Sequence, residues 1–267
     1  MAVVVGLLHP GEMGSALGAA LRAGGTTVLW ASDGRGAETG HRATSAGLED
    51  AGSLGELVRR ADVILSVCPP HAARDVARSV GEFQGIYVDA NAVSPATARE
   101  LALRMPRFVD GGIVGPPPLE PGTTRLYLSG RDANAVAGLF DGTAVDARVV
   151  SDAAGDASAV KIAYAAWTKG TAALLLAIRA LARAEGVEET LLAEWALSIP
   201  ELTDRSERSA RSAAGKGWRW VAEMEEIAAT FAADGLPDGF HLAAAEIFRR
   251  SPRLDGATLD DVLAALR

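Results

Sequence analysis

Cysteine is nearly absent from this chain, since Cys68 is the only one in 267 residues. A single thiol excludes an internal disulfide and is typical of a reducing compartment. Long hydrophobic runs are missing too, and the longest, residues 171–178, is too short to cross a bilayer. The N-terminal residues have neither a basic lead nor a cleavage site, so we expect no signal peptide. These absences predict a cytoplasmic protein with no membrane partner.

An excess of positive charge is also missing. The chain has 26 Lys and Arg residues against 34 Asp and Glu residues, and its net charge is −8. Proteins that bind nucleic acids use basic side chains to displace counterions from the phosphates. We therefore expect no nucleic-acid partner.

Lysine is the scarcer of the two basic residues. Lys161, Lys169 and Lys216 are the only lysines, and every other basic residue is an arginine. A desolvated ammonium can release its proton, whereas a guanidinium in a protein effectively cannot. Lys161 stands at the start of the most hydrophobic predicted helix, which favours a role in proton transfer. The alternative is an ordinary helix lysine whose stem packs and whose ammonium reaches water.

The first half of the chain alternates β-branched runs with amphipathic helices. This alternation predicts an α/β fold with a parallel, doubly wound sheet. A proline-rich loop, residues 115–122, interrupts the pattern before its last two strands. The predicted strands are residues 3–8, 26–30, 62–67, 85–89, 108–114, 124–129 and 145–150.

The second half is predicted to be entirely helical, with a domain boundary that separates residues 1–154 from residues 155–267. Its first helix, residues 157–185, is apolar on nearly every side and must therefore be covered by other protein. We expect this helix at a domain junction or in a dimer interface. Residues 201–213 and 218–233 are predicted as two separate helices.

A tight turn joins the first strand to the first helix. A helix N-terminus presents unpaired N–H groups and the positive end of its dipole, which suits a pyrophosphate. Gly11 would let the backbone approach the phosphates, and Gly14 would let helix and strand pack closely. His9 replaces the usual first glycine of G-x-G-x-x-G, so a generic turn is the alternative. The predicted cofactor contacts in this turn are Pro10, Gly11, Glu12 and Met13.

The end of the second predicted strand carries conflicting signals for the choice of nicotinamide cofactor. Asp33 would bind the ribose 2′-hydroxyl of NAD, whereas Ser32 and Arg35 would bind the 2′-phosphate of NADP. Asp33 comes late in the segment and can turn away to cap the following turn. We therefore predict NADP, with contacts from Ser32 and Arg35, and keep NAD as the alternative.

Four segments, in order, resemble motifs of the β-hydroxyacid dehydrogenases, and most of all those of a phosphogluconate-dehydrogenase-like branch. Gly11-Glu12-Met13-Gly14 is similar to Gly-x-Met-Gly, and residues 89–95 are similar to Asp-x-Ser/Asn…Ser-Pro. Residues 110–115 resemble Asp-Ala-Pro-Val-Ser-Gly, and residues 155–161 resemble the stretch that ends in the catalytic lysine. The resemblance covers almost the whole chain.

The resemblance implies a Rossmann-like NAD(P)-binding domain followed by an all-helical substrate and dimerisation domain. It also implies a homodimer, which we expect to form through the 157–185 helix and the C-terminal domain. The segment 89–95 would lie beside the nicotinamide, with Asn91 as a contact. Val67, Cys68 and Pro69 follow a strand end, so we expect them to contact the nicotinamide through backbone and packing.

Two departures from the family put its usual substrate in doubt. Val114 stands where the family has the serine of its substrate loop, and Ala165 stands where it has an asparagine. Both family residues bind the substrate's carboxylate or hydroxyl. Imine reductases are similar in fold and vary at the lysine and asparagine positions, so C=N reduction stays open. A non-catalytic NADPH-binding protein is a further alternative.

The leading hypothesis is an NAD(P)H-dependent oxidoreductase that acts on a small carbonyl or alcohol substrate, with no metal. Hydride transfer leaves charge on the substrate oxygen, and an acid must supply a proton. Desolvation in an apolar cleft would lower the pKa of Lys161 toward the working pH. We assign Lys161 as the general acid/base. Tyr164 and Thr168 are assigned as donors on the same helix face, and Val114, Gly115, Trp218 and His241 as substrate contacts. For Trp218 and His241 the alternative is a structural role.

Overall fold

The computed structural model describes residues 3–267. The chain forms two compact units, one ending at Ile162 and one comprising Ala163–Arg267. The predicted boundary after residue 154 precedes this division. The difference arises because the first turns of the long helix that begins at Asp156 pack on strands of the first unit, as shown below.

One eight-stranded sheet organises the first unit. Its strand order is β3-β2-β1-β4-β5-β6-β7-β8, and every neighbouring pair is parallel except β6 with β7. The predicted doubly wound α/β sheet is thereby confirmed, whereas the antiparallel pairing of β6 with β7 departs from the parallel arrangement that was predicted. The strands are β1 Val4–Leu8, β2 Thr27–Trp30, β3 Glu49–Asp50, β4 Val63–Ser66, β5 Ile86–Asp89, β6 Phe108–Val114, β7 Thr124–Ser129 and β8 Val145–Ser151.

Six helices and one 3₁₀ turn, Pro70–Ala72, accompany the sheet. Side chains of α1, α2 and α6 pack into one apolar cluster with Val88 and Val109, whereas α3, α4 and α5 pack into another with Tyr87 and Phe108. Because successive strand residues face opposite sides, the two clusters cover the two faces of the sheet. The helices are α1 Glu12–Ala23, α2 Ala37–Ser45, α3 Leu54–Arg60, α4 Ala73–Val80, α5 Pro95–Ala102 and α6 Ala133–Gly138.

The rest of the chain is helical, as predicted. The prediction of two helices between residues 201 and 233 was wrong, because α9 is continuous there. Glycine lowers helix propensity, but a Cβ at Gly217 would lie 3.5 Å from the Phe248 ring, so packing against α10 offsets the weak local preference. The helices are α7 Asp156–Ala184, α8 Glu188–Ser198, α9 Leu202–Ala233, α10 Gly239–Arg250 and α11 Leu259–Ala265. Within residues 3–267, none of the helices combines the length and apolarity that a membrane crossing requires.

A buried arginine connects the helices of the second unit. Arg179 on α7 is only 4% exposed. Its guanidinium donates to the Glu188 carboxylate on α8 at 2.8–2.9 Å and to the Ser206 hydroxyl on α9 at 2.8 Å. Arg183 binds the same carboxylate and also Asp260 on α11. The hydrogen bonds from Arg183 and Arg179 lower the pKa of Glu188. One carboxylate therefore holds α7 against α8, and Arg183 extends the contact to α11.

Candidate functional site

The loops after β1 and β4 lie at the point where the strand order reverses. β1 pairs with β2 on one side and with β4 on the other, and Leu8 is opposite Ser66. In doubly wound sheets, ligands bind outside the carboxyl ends of the strands at such a switch point. The β1–α1 turn, residues 9–11, and the β4 loop, residues 67–69, both follow strand ends there.

His9 adopts the backbone conformation that the glycine motif requires. Its φ is +61°, and no other non-glycine residue in the described part of the chain has a positive φ. The Gly11 N–H donates to the His9 carbonyl at 2.7 Å and closes the turn. Histidine adopts this left-handed conformation less readily than glycine does, but the conformation is sterically allowed for it. Burial, and then the positive charge of Arg35, lower the pKa of His9, so its imidazole is neutral at neutral pH.

The two glycines of the turn have different surroundings. A Cβ on Gly14 would lie 2.9 Å from the His9 carbonyl oxygen, so only glycine lets α1 begin this close to the turn. A Cβ on Gly11 would meet only that same oxygen, at 4.0 Å, and otherwise open space. No side chain caps the N-terminus of α1. The open space at an uncapped helix start fits a phosphate group.

Ser32 and Arg35 form the ends of a turn after β2. The Arg35 N–H donates to the Ser32 carbonyl at 3.0 Å, and Gly34 between them has a φ of +70°. Asp33 is exposed, and its backbone N–H donates to Gly52. Ser32 also donates to Asp50 on β3. Ser32 and Arg35, which would bind the 2′-phosphate of NADP, therefore lie at the same strand end as the Asp50 carboxylate.

The sequence interpretation did not single out Asp50 or Arg42. Asp50 belongs to a two-residue strand, which is too short to show an alternating pattern. Arg42 on α2 donates from Nε to the Pro10 carbonyl at 3.3 Å and supports the β1–α1 turn from 32 positions away. No local sequence signal marks a contact over that separation.

A row of buried polar side chains crosses four neighbouring strands. Ser66 is opposite Asp89, Asp89 is opposite Asp110, and Asp110 is opposite Ser129. All four are fully buried. Residues at one register position point to the same sheet face, so the row lies on the face that carries Tyr87 and Phe108. It runs from the β4 loop toward the start of α7.

Asn91 supports the loop after β4 through hydrogen bonds. Its Nδ2 donates to Asp89 at 2.9 Å and to Ser66 at 3.2 Å, and its Oδ1 accepts the Cys68 N–H. Asn91 is buried and both ends of its carboxamide bind protein groups, so it supports the loop; its predicted cofactor contact stays a prediction. Burial and the charge of Asp89 raise the pKa of Cys68 to about 11. The thiol therefore stays protonated, which agrees with a packing role.

Asp110 holds the start of α7. Its carboxylate accepts the N–H groups of Gly155 at 3.1 Å and Ser158 at 2.8 Å. It also accepts the hydroxyls of Ser158 at 2.6 Å and Ser129 at 3.2 Å. An acid bonded to the first N–H groups of a helix satisfies donors that have no partner within the helix. Burial nevertheless raises the pKa of Asp110.

Lys161 follows Ser158 by one turn of α7, and its Cβ packs against β6. A Cβ added to Gly112 would lie 2.9 Å from the Lys161 Cβ and 2.7 Å from the Ala157 carbonyl oxygen. Lys161 is partly buried, whereas Tyr164, one turn further along α7, is 46% exposed. The Thr168 hydroxyl donates to the Tyr164 carbonyl at 3.1 Å within the helix. The roles assigned to these side chains stay predictions.

Val114 and Gly115 end β6 as the predicted substrate loop begins. Val114 is buried, and its position opposite Arg125 belongs to the antiparallel pair of β6 and β7. Gly115 has a φ of +122°, and a Cβ there would lie 2.2 Å from the Thr123 carbonyl oxygen. The loop therefore requires glycine at residue 115 whatever it binds.

Comparisons with known protein sequences match parts of this chain. A family described as a domain of unknown function (DUF1932) matches residues 182–251. An uncharacterized 28.5 kDa protein of Methanothermus fervidus is 32% identical over 140 residues, which cover 51% of this chain and 54% of that protein. This chain therefore aligns with about half the length of that relative.

Solved structures match over nearly the full chain. The conserved protein MTH1747, of unknown function and reported to resemble 3-hydroxyacid dehydrogenases, is 26% identical, with a TM-score of 0.73 over 93% of this chain and 98% of that one. The 3-hydroxyisobutyrate dehydrogenase of Mycobacterium tuberculosis is 16% identical and shows the fold alone, with a TM-score of 0.75 over 100% of both chains. The chain has the fold of the 3-hydroxyacid dehydrogenases.

Enzymes that reduce C=N bonds share the 3-hydroxyacid dehydrogenase fold. The reductive aminase of Aspergillus terreus, solved with NADPH and ethyl levulinate, is 19% identical, with a TM-score of 0.60 over 100% of both chains. An imine reductase variant of Myxococcus stipitatus was solved with NAD⁺ and is 22% identical. At identities below 25% these likenesses show the fold alone.

Trp218 and His241, the predicted substrate contacts of the helical unit, have different surroundings. Trp218 is half-exposed, and the guanidinium carbons of Arg219 and Arg253 lie 5.0 and 5.4 Å from its ring centroid. His241 is 5% exposed, its Nδ1 has no hydrogen-bond partner, and its ring lies 4.3 Å from that of Phe231. Burial lowers the pKa of His241. These contacts favour the structural alternative for His241 and place the Trp218 ring at the surface.

Asp89 makes the stability of this dehydrogenase fold depend on pH. Burial raises its pKa from 3.8 to about 7, Asn91 opposes the shift through hydrogen bonds, and Asp110 adds to it. Between these values the unfolded chain has released a proton that the folded chain retains, so rising pH lowers the free energy of unfolding. We expect Asp89→Asn to remove this loss. As the pH rises from about 4.5 to about 7.5, the free energy of unfolding of the variant should therefore increase by about 2–3 kcal/mol relative to that of wild type.

Urea unfolding at the two pH values measures this difference. Asp146→Asn is the control, because hydrogen bonds from Arg148 lower the pKa of that exposed carboxyl and its linkage has the opposite sign. An Asp89→Asn effect that is equal at both pH values would contradict the prediction.

Proposed function

We propose that this chain is an NAD(P)H-dependent oxidoreductase that transfers hydride between the nicotinamide and a small carbonyl or alcohol substrate. The proposal rests mainly on the open, uncapped β1–α1 turn at the switch point of the sheet. Its second support is Lys161, which is held against β6 in the same unit. The dehydrogenase fold supports the reaction class.

Each residue has a distinct task in this proposal. When bound, the cofactor supplies or accepts the hydride. Gly11 leaves room for the pyrophosphate, which the first N–H groups of α1 bind. The backbone of the 67–69 loop, supported by Asn91, packs beside the nicotinamide. Lys161 donates a proton from Nζ to the substrate oxygen during reduction and takes it back during oxidation.

The preference for NADP is part of the proposal. Ser32 and Arg35 would bind the 2′-phosphate, and Arg42 supports the neighbouring turn. Asp33, or Asp50 that accepts a hydrogen bond from Ser32, would favour NAD instead. A wild-type protein that binds NADH as tightly as NADPH would contradict the preference for NADP.

Gly11→Ala tests the cofactor site without disturbing the fold. The added Cβ meets no atom closer than 4.0 Å, so we expect stability to change by less than about 1 kcal/mol. The same methyl group occupies the space proposed for the pyrophosphate, so the NADPH dissociation constant should rise at least about tenfold. Titration of NADPH fluorescence measures the binding, and Gly55→Ala, also in open space on α3, is the matched control. Equal affinity in the Gly11→Ala protein would contradict the proposed site.

A substrate panel tests the reaction. Wild-type protein is incubated with NADPH and either β-keto acids, simple ketones or cyclic imines, and oxidation is followed at the nicotinamide absorbance. Turnover of the carbonyl compounds supports the proposal, whereas turnover of the imines alone favours an imine reductase. NADPH binding without oxidation by any member of the panel would instead favour a non-catalytic binding protein.

We also propose that the protein is a homodimer through the helix of residues 157–185 and the C-terminal domain. Trp167, Leu174 and Leu181 are 43–62% exposed on α7, and their spacing of seven residues is that of a helix seam. Light scattering after gel filtration should give twice the mass of one chain, and Leu174→Glu with Leu181→Glu should give the monomer mass. A wild-type monomer would contradict the proposal.

A further inference from the structure

Two residues of β6 support the first turns of α7 by different means. Asp110 and Gly112 stand two positions apart and therefore on the same face of the strand. Asp110 binds the helix start through the N–H groups of Gly155 and Ser158, at 3.1 and 2.8 Å, and through the Ser158 hydroxyl at 2.6 Å. Gly112 has no side chain, and the helix backbone and the Lys161 Cβ occupy the space where one would be.

We propose that Asp110 and Gly112 are positioning residues that together place Lys161 for proton transfer, an inference that rests on the proposed function. Asp110 fixes the helix one turn before Lys161, so it fixes the axial position and rotation of that turn. Gly112 sets the distance between helix and strand at Lys161 itself. Neither residue contacts substrate in this role, and both act through the lysine.

The space at Gly112 leaves no room for a side chain. A Cβ here would lie 2.7 Å from the Ala157 carbonyl oxygen and 2.9 Å from the Lys161 Cβ. Real Cβ atoms essentially never approach other heavy atoms this closely, and one of the two atoms is backbone. In this chain the helix therefore requires glycine in order to lie where it does.

The three lysines of the chain allow a direct test in the cofactor-free protein. Brief acetylation with acetic anhydride, followed by mass spectrometry, gives separate rates for Lys161, Lys169 and Lys216. In Asp110→Asn and in Gly112→Ala, the Lys161 rate should change at least about threefold relative to Lys216, as expected for a locally displaced side chain. The ratio of Lys169 to Lys216 should stay the same. Gly18→Ala is the control, because its Cβ would also be crowded, 2.8 Å from Leu48, but far along the chain from α7.

Kinetics provide the second readout. With a substrate identified from the panel, kcat should fall about 10- to 100-fold in both variants, the size expected when a catalytic group is displaced by about 1 Å. The NADPH dissociation constant should stay within about threefold of wild type, because neither residue belongs to the proposed phosphate site. A purely structural role would lower stability and leave kcat per folded molecule unchanged.

The outcomes separate this inference from the proposed function. If the wild-type protein turns over no compound of the panel while Lys161 labelling still changes selectively in the variants, the proposed function fails and the positioning inference survives. Unchanged Lys161 labelling in both variants overturns the positioning, whether or not the protein is active. A parallel change at all three lysines, or a selective loss of NADPH affinity, also overturns it. If Asp110→Asn does not fold, Gly112→Ala alone decides, since it leaves the Asp110 carboxylate itself unchanged.

Discussion

Lys161→Arg should fold, bind NADPH and lose about 10²- to 10⁴-fold in kcat, the usual contribution of general acid–base catalysis. The substitution retains a positive charge and a long apolar stem. It removes the ability to release a proton, because a guanidinium does not deprotonate in the accessible pH range. Steady-state kinetics with the best substrate of the panel measure the loss, and NADPH fluorescence confirms that the dissociation constant is unchanged.

Lys169→Arg is the matched control for this experiment. Lys169 also lies on α7, but its ammonium pairs with Glu223 and lies 5.9 Å from the Trp220 ring centroid. An arginine can retain both contacts, so kcat should stay within about twofold of wild type. Turnover that is equally unaffected in the Lys161→Arg and Lys169→Arg proteins would exclude Lys161 as the proton donor.

Arg179→Ala should destabilise the helical unit by about 3–5 kcal/mol, because it leaves the half-buried Glu188 carboxylate with one guanidinium fewer and empties a buried space. The measurement is the free energy of unfolding from urea titration followed by circular dichroism. Arg249→Ala is the control, since Arg249 is half-exposed in its ion pairs with Glu225 and Glu246, and its loss should cost less than about 1 kcal/mol. Similar losses of unfolding free energy in the two variants would show that the burial of Arg179 does not add to the stability of the helical unit.

The sequence allows a large part of the fold to be predicted, because the strands of a doubly wound sheet are short, apolar and separated by regular helices. Seven of the eight strands follow from that pattern, and β3 does not because two residues show no periodicity. The break expected within α9 was wrong since Gly215 and Gly217 weaken a helix locally, whereas contact with α10 acts only in the folded chain.

The candidate site is predictable to the extent that it depends on local motifs. The β1–α1 turn, the glycines at residues 11 and 14, and Lys161 stand out because their chemistry is legible in a few neighbouring residues. Asp110 and Asn91 appear in the sequence as parts of motifs, but the hydrogen bonds from Cys68 to Asn91 and from Ser158 to Asp110 join residues 23 and 48 positions apart. Arg42 shows no local signal at all. Contacts of this kind follow from strand register and become visible only in the structure.

The row formed by Ser66, Asp89, Asp110 and Ser129 has a consequence for how the sheet assembles. In the native register the two carboxyl groups face amide, hydroxyl and backbone N–H donors. A slip of one residue in β5 or β6 would turn a carboxyl group to the opposite face, among Val88, Val109 and Leu128, where the apolar cluster offers no donor. Misaligned sheets are thereby penalised by an unsolvated acid. These four polar residues therefore specify the register of the central strands, because alternative registers bury similar apolar surface but leave a carboxyl group without donors.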